Sequence, residues 1–238
     1  MLFAGVDVHS ARPHVLAVVD GRLRLLHWGE GWDVAELVRP WMGGGLWVAV
    51  DAPRLMPAGL MDDEKFRQSL QPPPPPGKYL GWRVAEYLLR ARCYVTPRSR
   101  DELPDWMRAG FAVYAELERL GFQAIDVLAP AQRRTARLVA MEYYPHAAFA
   151  AVLGCRLAPK RRPEGLEQRR QALRKVGLRG PLADLDADAL DAAMGAAVAA
   201  MAWSGKAEML GHEADGFIVM PVPGQLARGR GREAGQGG

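Results

Sequence analysis

The chain has 238 residues, of which 49% are hydrophobic, and a formal net charge of +4, a composition typical of a globular protein with a sizeable core. Its 2 cysteines, Cys93 and Cys155, are too few for a disulfide framework or a thiolate zinc site, and we interpret both as buried thiols in a reducing cytoplasm. We see no signal peptide and no apolar run of about 18 residues, so we expect neither secretion nor membrane insertion.

Three strands are predicted near the N-terminus. The first strand ends at Asp7, and the second covers the apolar run from His14 to Val19. The dipeptide Asp20-Gly21 suits a tight hairpin turn, which leads into a third strand from Leu23 to Trp28.

A short helix and a buried strand follow this hairpin. Asp33 is suited to the N-cap of the helix, and Pro40 ends it. The continuous apolar run from Leu46 to Val50 predicts a strand buried on both faces in the middle of an α/β sheet. Residues 54–80 look irregular, and the polyproline stretch Pro72 to Pro76 fits neither a sheet nor a helix. We interpret this segment as an inserted loop near the site that can also dock a protein partner.

Helices and strands alternate in the rest of the chain. Helices are predicted over 82–91, from Trp106 to Leu120 before Gly121, from Pro145, over 164–176 and over 186–203, with strands at 93–95 and 138–144 and an edge strand at 217–220. This order favours a single α/β domain over residues 1–222, with a mixed sheet and helices on both faces. Residues 223–238 form a Gly/Arg tail that we expect to be disordered.

Two carboxylates stand where apolar strands end. Asp7 follows Gly5-Val6, and Asp51 follows the run from Trp47 to Val50. Open α/β sheets place their sites at strand ends, and a carboxylate after a buried strand costs free energy unless it is paired, solvated or bound to metal. A loop cap or helix N-cap explains either acid alone, whereas the pair favours a shared site.

The last long helix supplies the third acid. Asp188 and Asp191 are three residues apart and therefore lie on one helix face. Asp is a weak helix former, so Asp191 among alanines needs a functional reason, while Asp188 can also be a first-turn acid favoured by the helix dipole. Asp7, Asp51 and Asp191 together predict a carboxylate site for a divalent metal.

Short motifs in a fixed order resemble a known family. They are Gly5-Val6-Asp7, Val50-Asp51-Ala52-Pro53, Glu142-Tyr143-Tyr144-Pro145, Asp188-x-x-Asp191-Ala192, and Asp215-Gly216-Phe217-Ile218 with Pro221. The chain, up to about Pro223, resembles the domain-of-unknown-function 429 family, an uncharacterised family of predicted nucleases. The resemblance implies a ribonuclease H-like mixed five-stranded sheet, with three antiparallel strands from the N-terminal hairpin and then parallel strands.

The resemblance also implies a site. In RuvC-type resolvases of the wider superfamily, acids lie on the first strand, after the fourth strand and on a late helix, and these positions fall on Asp7, Asp51, Asp188 and Asp191. Such carboxylates can hold two Mg²⁺ or Mn²⁺ ions about 3.5–4 Å apart, one activating water and one stabilising the leaving oxygen of a phosphodiester. Hard oxygen ligands favour Mg²⁺ or Mn²⁺ over zinc. The implied activity is metal-dependent hydrolysis of DNA or RNA.

Further candidate residues each have a structural alternative. The resemblance marks Glu142 as catalytic, whereas its position also suits an acid at a helix N-terminus. Arg83 followed by Glu86 matches the family pattern for a substrate-binding arginine, but an intrahelical ion pair explains both. Lys160, with Arg161 beside it, is a candidate for binding a substrate phosphate.

Basic residues and two histidines complete the prediction. The segment from Lys160 to Arg179 is strongly basic and can attract nucleic acid, although a solvated helix face explains it as well. His9 can be a proton shuttle or metal neighbour, and His146 has similar potential, yet both positions are also ordinary loop or first-turn positions.

We expect a metal-dependent nuclease, and the alternative is a non-catalytic member of the fold that binds nucleic acid or protein. The sequence does not predict the oligomeric state. No Gly-rich phosphate loop and no Ser/His/Asp arrangement supports cofactor redox chemistry or acyl transfer.

Overall fold

The structure is a computed structural model that describes residues 1–89 and 94–222. Within these ranges one mixed sheet of 8 strands forms the centre of the molecule. The strands are β1 (Leu2–Asp7), β2 (His14–Val19), β3 (Leu25–Gly31), β4 (Leu46–Asp51), β5 (Gln123–Ala124), β6 (Leu138–Tyr143), β7 (Ala207–His212) and β8 (Gly216–Pro221). They lie in the order β3, β2, β1, β4, β6, β8, β7, with β5 paired to β6 outside this path. The predicted mixed α/β sheet is confirmed, whereas the predicted count of five strands is too low.

Two strands, β5 and β7, are missing from the sequence prediction for physical reasons. β5 has only 2 residues, and β7 lacks the regular alternation of apolar and polar residues that predicts a strand. The predicted strand at 217–220 is confirmed as β8, but it is not at the sheet edge, because β7 pairs with it on its outer side. The first three strands are antiparallel and β1, β4, β6 and β8 run parallel, as predicted.

Helices cover both faces of this sheet. The helices of the described ranges are α1 (Val34–Val38), α2 (Glu64–Ser69), α3 (Val84–Leu89), α4 (Asp105–Arg119), α5 (Pro130–Arg133), α6 (Pro145–Leu153), α7 (Pro163–Val176) and α8 (Ala187–Trp203). α6, α7 and α8 pack on one face, and α1 and α4 pack on the other. The predicted N-cap is confirmed, since Asp33 accepts from the amide of Ala35 before α1, and the helix predicted over 164–176 ends at Gly177, which has φ 93°.

The predicted tight turn at Asp20-Gly21 is a longer loop. β3 begins at Leu25, and the backbone amides of Arg22 and Arg24 both donate to Asp20 Oδ1. Leu23 in this loop has a positive φ of 57°. The Asp20 side chain therefore stabilises the connection by accepting two local hydrogen bonds.

Close packing between α8 and β1 positions the last helix. A Cβ atom at Gly5 would lie 2.0 Å from the carbonyl oxygen of Ala192, and one at Gly195 would lie 2.8 Å from the ring of Tyr143. Glycine is needed at both positions because a side chain would push α8 away from the sheet. The hydroxyl of Tyr143 donates to the backbone carbonyl of Asp191 at 2.6 Å. These contacts hold the first turns of α8 over the carboxyl end of β1.

The segment from 54 to 80 is less irregular than predicted. It contains a 3₁₀ turn, Leu60–Asp62, followed by α2. Buried Arg67 donates to the carbonyl oxygens of Pro75 and Lys78, and the hydroxyl of Tyr87 donates to that of Pro72. The proline stretch is thus fixed to the domain by side-chain to backbone hydrogen bonds.

Several other predictions can be compared with the structure. Cys155 is exposed, not buried, because it lies in the turn where Gly154 ends α6. Tyr94 and Val95 are not part of a strand, and Cys93, the end of the predicted 82–91 helix and the predicted disordered tail lie outside the described residues. None of the described helices has the length and apolar character needed to cross a membrane.

Candidate active site

The structure brings the strand-end acids together. β1 and β4 are parallel neighbours, and Asp7 is the register partner of Asp51. Both carboxylates therefore emerge at the same edge of the sheet, where the charge of Asp7 acts on Asp51. The first turns of α8 place Asp188 and Asp191 over this edge, so three distant stretches of the chain meet in one acidic cluster.

Negative charge in this cluster is only partly balanced. Burial, followed by the charges of Asp7 and Asp191, raises the pKa of Asp51 well above its usual range. Burial also raises the pKa of Asp191, against the lowering effect of Lys160. The Oδ2 atom of Asp7 is buried and has no hydrogen-bond partner among the described residues. An additional cation would remove this electrostatic penalty.

Asp7, His9 and Asp188 can hold a metal ion. One ligand atom from each of the three lies within 4.8 Å of the others. His9 Nε2 is 3.4 Å from Asp7 Oδ2, and Nε2 also has no hydrogen-bond partner within the described ranges. The backbone amide of His9 donates to Nδ1 of His14, which fixes the loop after β1. Two carboxylates with an imidazole suit Mn²⁺ and other transition metals better than Mg²⁺, which prefers oxygen ligands.

The acids on α8 are paired with cations of the protein. Lys160 Nζ lies 2.8 Å from Asp188 Oδ1 and 3.0 Å from Asp191 Oδ2. Arg169 Nε lies 3.1 Å from Asp191 Oδ1, and Arg12 binds Asp188 Oδ2. Against the effect of burial, Arg12 and Lys160 hold the pKa of Asp188 well below its usual range. Both oxygens of Asp191 are thus engaged by cations, and its role as a metal ligand stays a prediction.

A second group of acids lies beside the first and is fully paired. Glu142 on β6 aligns with Val50 of β4, one position before Asp51. Its two oxygens accept from Arg83 Nη1 and Nη2 at 2.8 and 2.6 Å. Arg83 also donates from Nε to Glu86, at 2.9 Å, in the intrahelical pair that is one of the two sequence interpretations. Arg83 and Glu142 therefore have a structural role, while their catalytic and substrate-binding roles stay predictions.

An open cleft adjoins the acidic cluster. Its volume is about 1080 Å³. Acidic, basic and aromatic side chains meet on its walls, among them Asp51, Asp191, Arg156, Lys160, Arg169, Tyr94, Tyr144 and His146. Predicted Lys160 lines this cleft, whereas Arg161 is exposed to solvent outside it, and the substrate-binding role of Arg161 stays a prediction.

Three residues of the site have little or no sequence signal. His9 follows the first strand by two positions and has an ordinary loop position as its alternative. Arg12 reaches Asp188 across 176 positions, and Arg169 looks like one more cation in a charged helix. Burial of Arg169 beneath α8 is a tertiary effect, which local spacing does not encode.

The fold and site define an α/β protein with a carboxylate cluster at the carboxyl ends of adjacent parallel strands. Residues 5–215 match the model of the family described as protein of unknown function, DUF429. The match covers most of the chain, and the protein belongs to this family. No curated protein and no solved structure matches the chain.

Proposed function

We propose that the protein is a metal-dependent nuclease that hydrolyses phosphodiester bonds of DNA or RNA. The observation that supports it most is the placement of Asp7 and Asp51 as register partners, with a buried Asp7 oxygen that has no partner among the described residues. Two adjacent carboxylates in a partly buried position destabilise the fold unless a nearby cation offsets their charge. A divalent metal bound at Asp7 would pair the buried Asp7 oxygen and lower the repulsion between Asp7 and Asp51.

The residues fit such an ion. Asp7, His9 and Asp188 would hold it, because their ligand atoms already form a compact group and Asp7 Oδ2 is unpaired among the described residues. When bound, a divalent ion supplies a Lewis acid for the phosphate and lowers the pKa of a water molecule. Hydrolysis of a phosphodiester needs both effects. Mg²⁺ and Mn²⁺ are the ions we propose.

Side chains of the protein would bind the phosphate group and take up a proton. Arg156, Lys160 and Arg169 line the cleft and would attract and orient a phosphate group. Asp51 faces the same cleft, and burial raises its pKa, which suits a carboxylate that takes up a proton during the reaction. The backbone of Asp191 is fixed by Tyr143, so the α8 side of the site is held rigidly.

A non-catalytic function is the second candidate. Its supporting observation is that Lys160, Arg12 and Arg169 already neutralise Asp188 and Asp191. A non-catalytic protein would bind nucleic acid, or would bind a partner protein through the Pro72–Pro76 stretch. Neither function requires Asp188 and Asp191 to be free of their cation partners. Such a protein would bind independently of metal.

Cleavage assays separate the two candidates. Purified protein is incubated with Mn²⁺ or Mg²⁺ and single-stranded, hybrid, duplex and junction substrates. We expect metal-dependent cleavage, and Asp7→Asn reduces its rate about a thousandfold because several kcal/mol of transition-state stabilisation are lost. Asp184→Asn, at an exposed aspartate away from the cluster, is the matched control and leaves the rate unchanged. Folded wild-type protein that cleaves none of these substrates contradicts the nuclease proposal.

A further inference from the structure

A small cavity lies beside Asp51 and is distinct from the open cleft in its size and walls. Its volume is about 160 Å³. Aromatic and apolar side chains form most of its wall, including Pro53, Tyr94, Trp106 and Ile218. Asp51 and Tyr94 line both this cavity and the larger cleft, so the two spaces meet at the acidic cluster.

The volume selects the size of the occupant. A cavity of about 150 Å³ with apolar walls holds one benzene ring in a protein interior. A ligand that fills the present cavity is therefore about one six-membered ring in size. A fused two-ring system exceeds it.

The walls select the chemistry of the occupant. The ring of Tyr94 is 70% exposed and lies 5.1 Å from that of Trp106, so an aromatic surface faces the entrance. The donors of Arg83 are bound by Glu86 and Glu142, whose oxygens accept them in return. The polar side of the cavity is thus already hydrogen-bonded internally. Recognition here relies on stacking and shape.

We propose that this cavity receives one pyrimidine base of the nucleic acid substrate, with Tyr94 as the stacking residue, an inference that rests on the proposed function. A base that enters it places its own phosphate next to Asp51 and the basic wall of the cleft. Bases inside a duplex are stacked and paired, so entry requires a single strand or a flipped nucleotide. The substrate class is therefore single-stranded or locally unpaired nucleic acid with a pyrimidine at the cleavage position.

Binding measured without cleavage tests this inference. All proteins carry Asp7→Asn, and the probes are fluorescein-labelled oligothymidylate, oligoadenylate and a duplex of equal length, titrated at one salt concentration and followed by fluorescence anisotropy. We expect oligothymidylate to bind most tightly. Tyr94→Ala weakens this binding about tenfold, in line with the loss of one stacked base. Tyr94→Phe, which keeps the ring, preserves it, and Trp203→Ala, an exposed ring outside both the cavity and the cleft, is the control.

The outcomes separate this inference from the nuclease proposal. If Tyr94→Ala binds oligothymidylate as tightly as the parent, or if the duplex binds best, the base-binding cavity is wrong even when the wild-type protein cleaves. If Tyr94→Ala weakens binding tenfold but no metal-dependent cleavage exists, the cavity stands and the nuclease proposal fails. Equal binding of oligoadenylate and oligothymidylate also overturns the assignment of a single-ring base.

Discussion

Two groups of acidic side chains lie side by side at the carboxyl edge of the sheet, and they differ in how their charge is balanced. In the group around Glu142, Arg83 binds two carboxylates, and Thr96 donates to Glu86 from both its amide and its hydroxyl. In the group around Asp7, one oxygen is buried without a partner in the described chain, and burial together with neighbouring negative charge raises the pKa of Asp51. Sequence position relative to the strand end is nearly the same in both groups.

A carboxylate at a strand end can therefore serve stability or chemistry, and its partners decide which. A buried carboxylate with an arginine partner is neutralised when the protein folds. A buried carboxylate beside another carboxylate keeps unbalanced negative charge, which a bound cation can neutralise. We therefore expect Glu142 to stabilise the fold and Asp7 to bind metal, and experiments can test both expectations.

The largest effect is expected at Arg83. Arg83→Met removes the cation between Glu86 and Glu142 and leaves buried charge unpaired, so the free energy of unfolding falls by about 3–5 kcal/mol. Urea denaturation measures this loss. Arg98→Met, which removes an exposed pair with Asp62, is the control and costs under about 1 kcal/mol. If Arg83→Met lowers the free energy of unfolding as little as Arg98→Met does, the Glu142 group does not have the structural role proposed for it.

Metal binding gives the next largest effect. At about 100 times its dissociation constant, Mn²⁺ stabilises the native protein by about 2.7 kcal/mol, because it binds the folded site and not the unfolded chain. Thermal denaturation with and without Mn²⁺ records the shift. Asp7→Asn should lose it, whereas Glu142→Gln, once corrected for its own lower stability, should keep it. A shift that survives in Asp7→Asn would place the ion elsewhere.

The metal-free protein should gain stability when Asp51 loses its charge. The folded-state pKa of Asp51 is raised, so its ionisation destabilises the fold, and that penalty is largest above the folded pKa and disappears as pH falls to the unfolded value of about 3.9. Asp51→Asn should therefore stabilise the metal-free protein by on the order of 1 kcal/mol at neutral pH and by nothing in acid. Denaturation midpoints across pH measure this difference. A variant less stable than wild type at neutral pH contradicts the raised pKa.

Among these variants, Lys160→Met should change the free energy of unfolding least. It should also tighten metal binding, whereas Asp7→Asn abolishes it. Lys160 bridges Asp188 and Asp191, and its side chain is 36% exposed, so Lys160→Met changes the free energy of unfolding by about 1 kcal/mol or less. Removing the competing cation should tighten Mn²⁺ binding, measured by calorimetry, and weaken binding of oligothymidylate. Lys65→Met, at an exposed lysine that lines neither the cleft nor the small cavity, is the matched control. Weaker Mn²⁺ binding in Lys160→Met would show that Lys160 supports the metal site.

The parts of the site that depend on local sequence pattern could be predicted. Asp7 and Asp51 are recognisable because each ends an apolar run, and the spacing of Asp188 and Asp191 fixes their shared helix face. Helix limits followed from caps such as Asp33 and from glycines such as Gly121, which has a positive φ just after α4. Of the predicted ligands Asp7, Asp51 and Asp191, the metal group in the structure contains only Asp7. It adds Asp188 and His9, a residue predicted as a proton shuttle or metal neighbour with an ordinary loop position as the alternative.

The rest depends on contacts that no local pattern encodes. Arg12 and Arg169 reach the acids of α8 through tertiary packing, and Arg83 meets Glu142 across 59 positions. β7 pairs with β8 through its backbone, although its sequence has little strand character. Cys155 is exposed because α6 ends just before it, whereas its apolar neighbours in the sequence predict burial. The pairing of buried charges distinguishes the Glu142 group from the Asp7 group, and it can be recognised only in the folded structure.

The most direct test of the central claim is a crystal of the protein soaked in Mn²⁺ and measured at a wavelength where manganese scatters anomalously. We expect an anomalous peak between Asp7, His9 and Asp188, with carboxylate oxygens in its coordination shell, and no peak beside Glu142. A fully ordered Asp7 with no peak near it, at a Mn²⁺ concentration that supports cleavage or a thermal shift, would contradict the account.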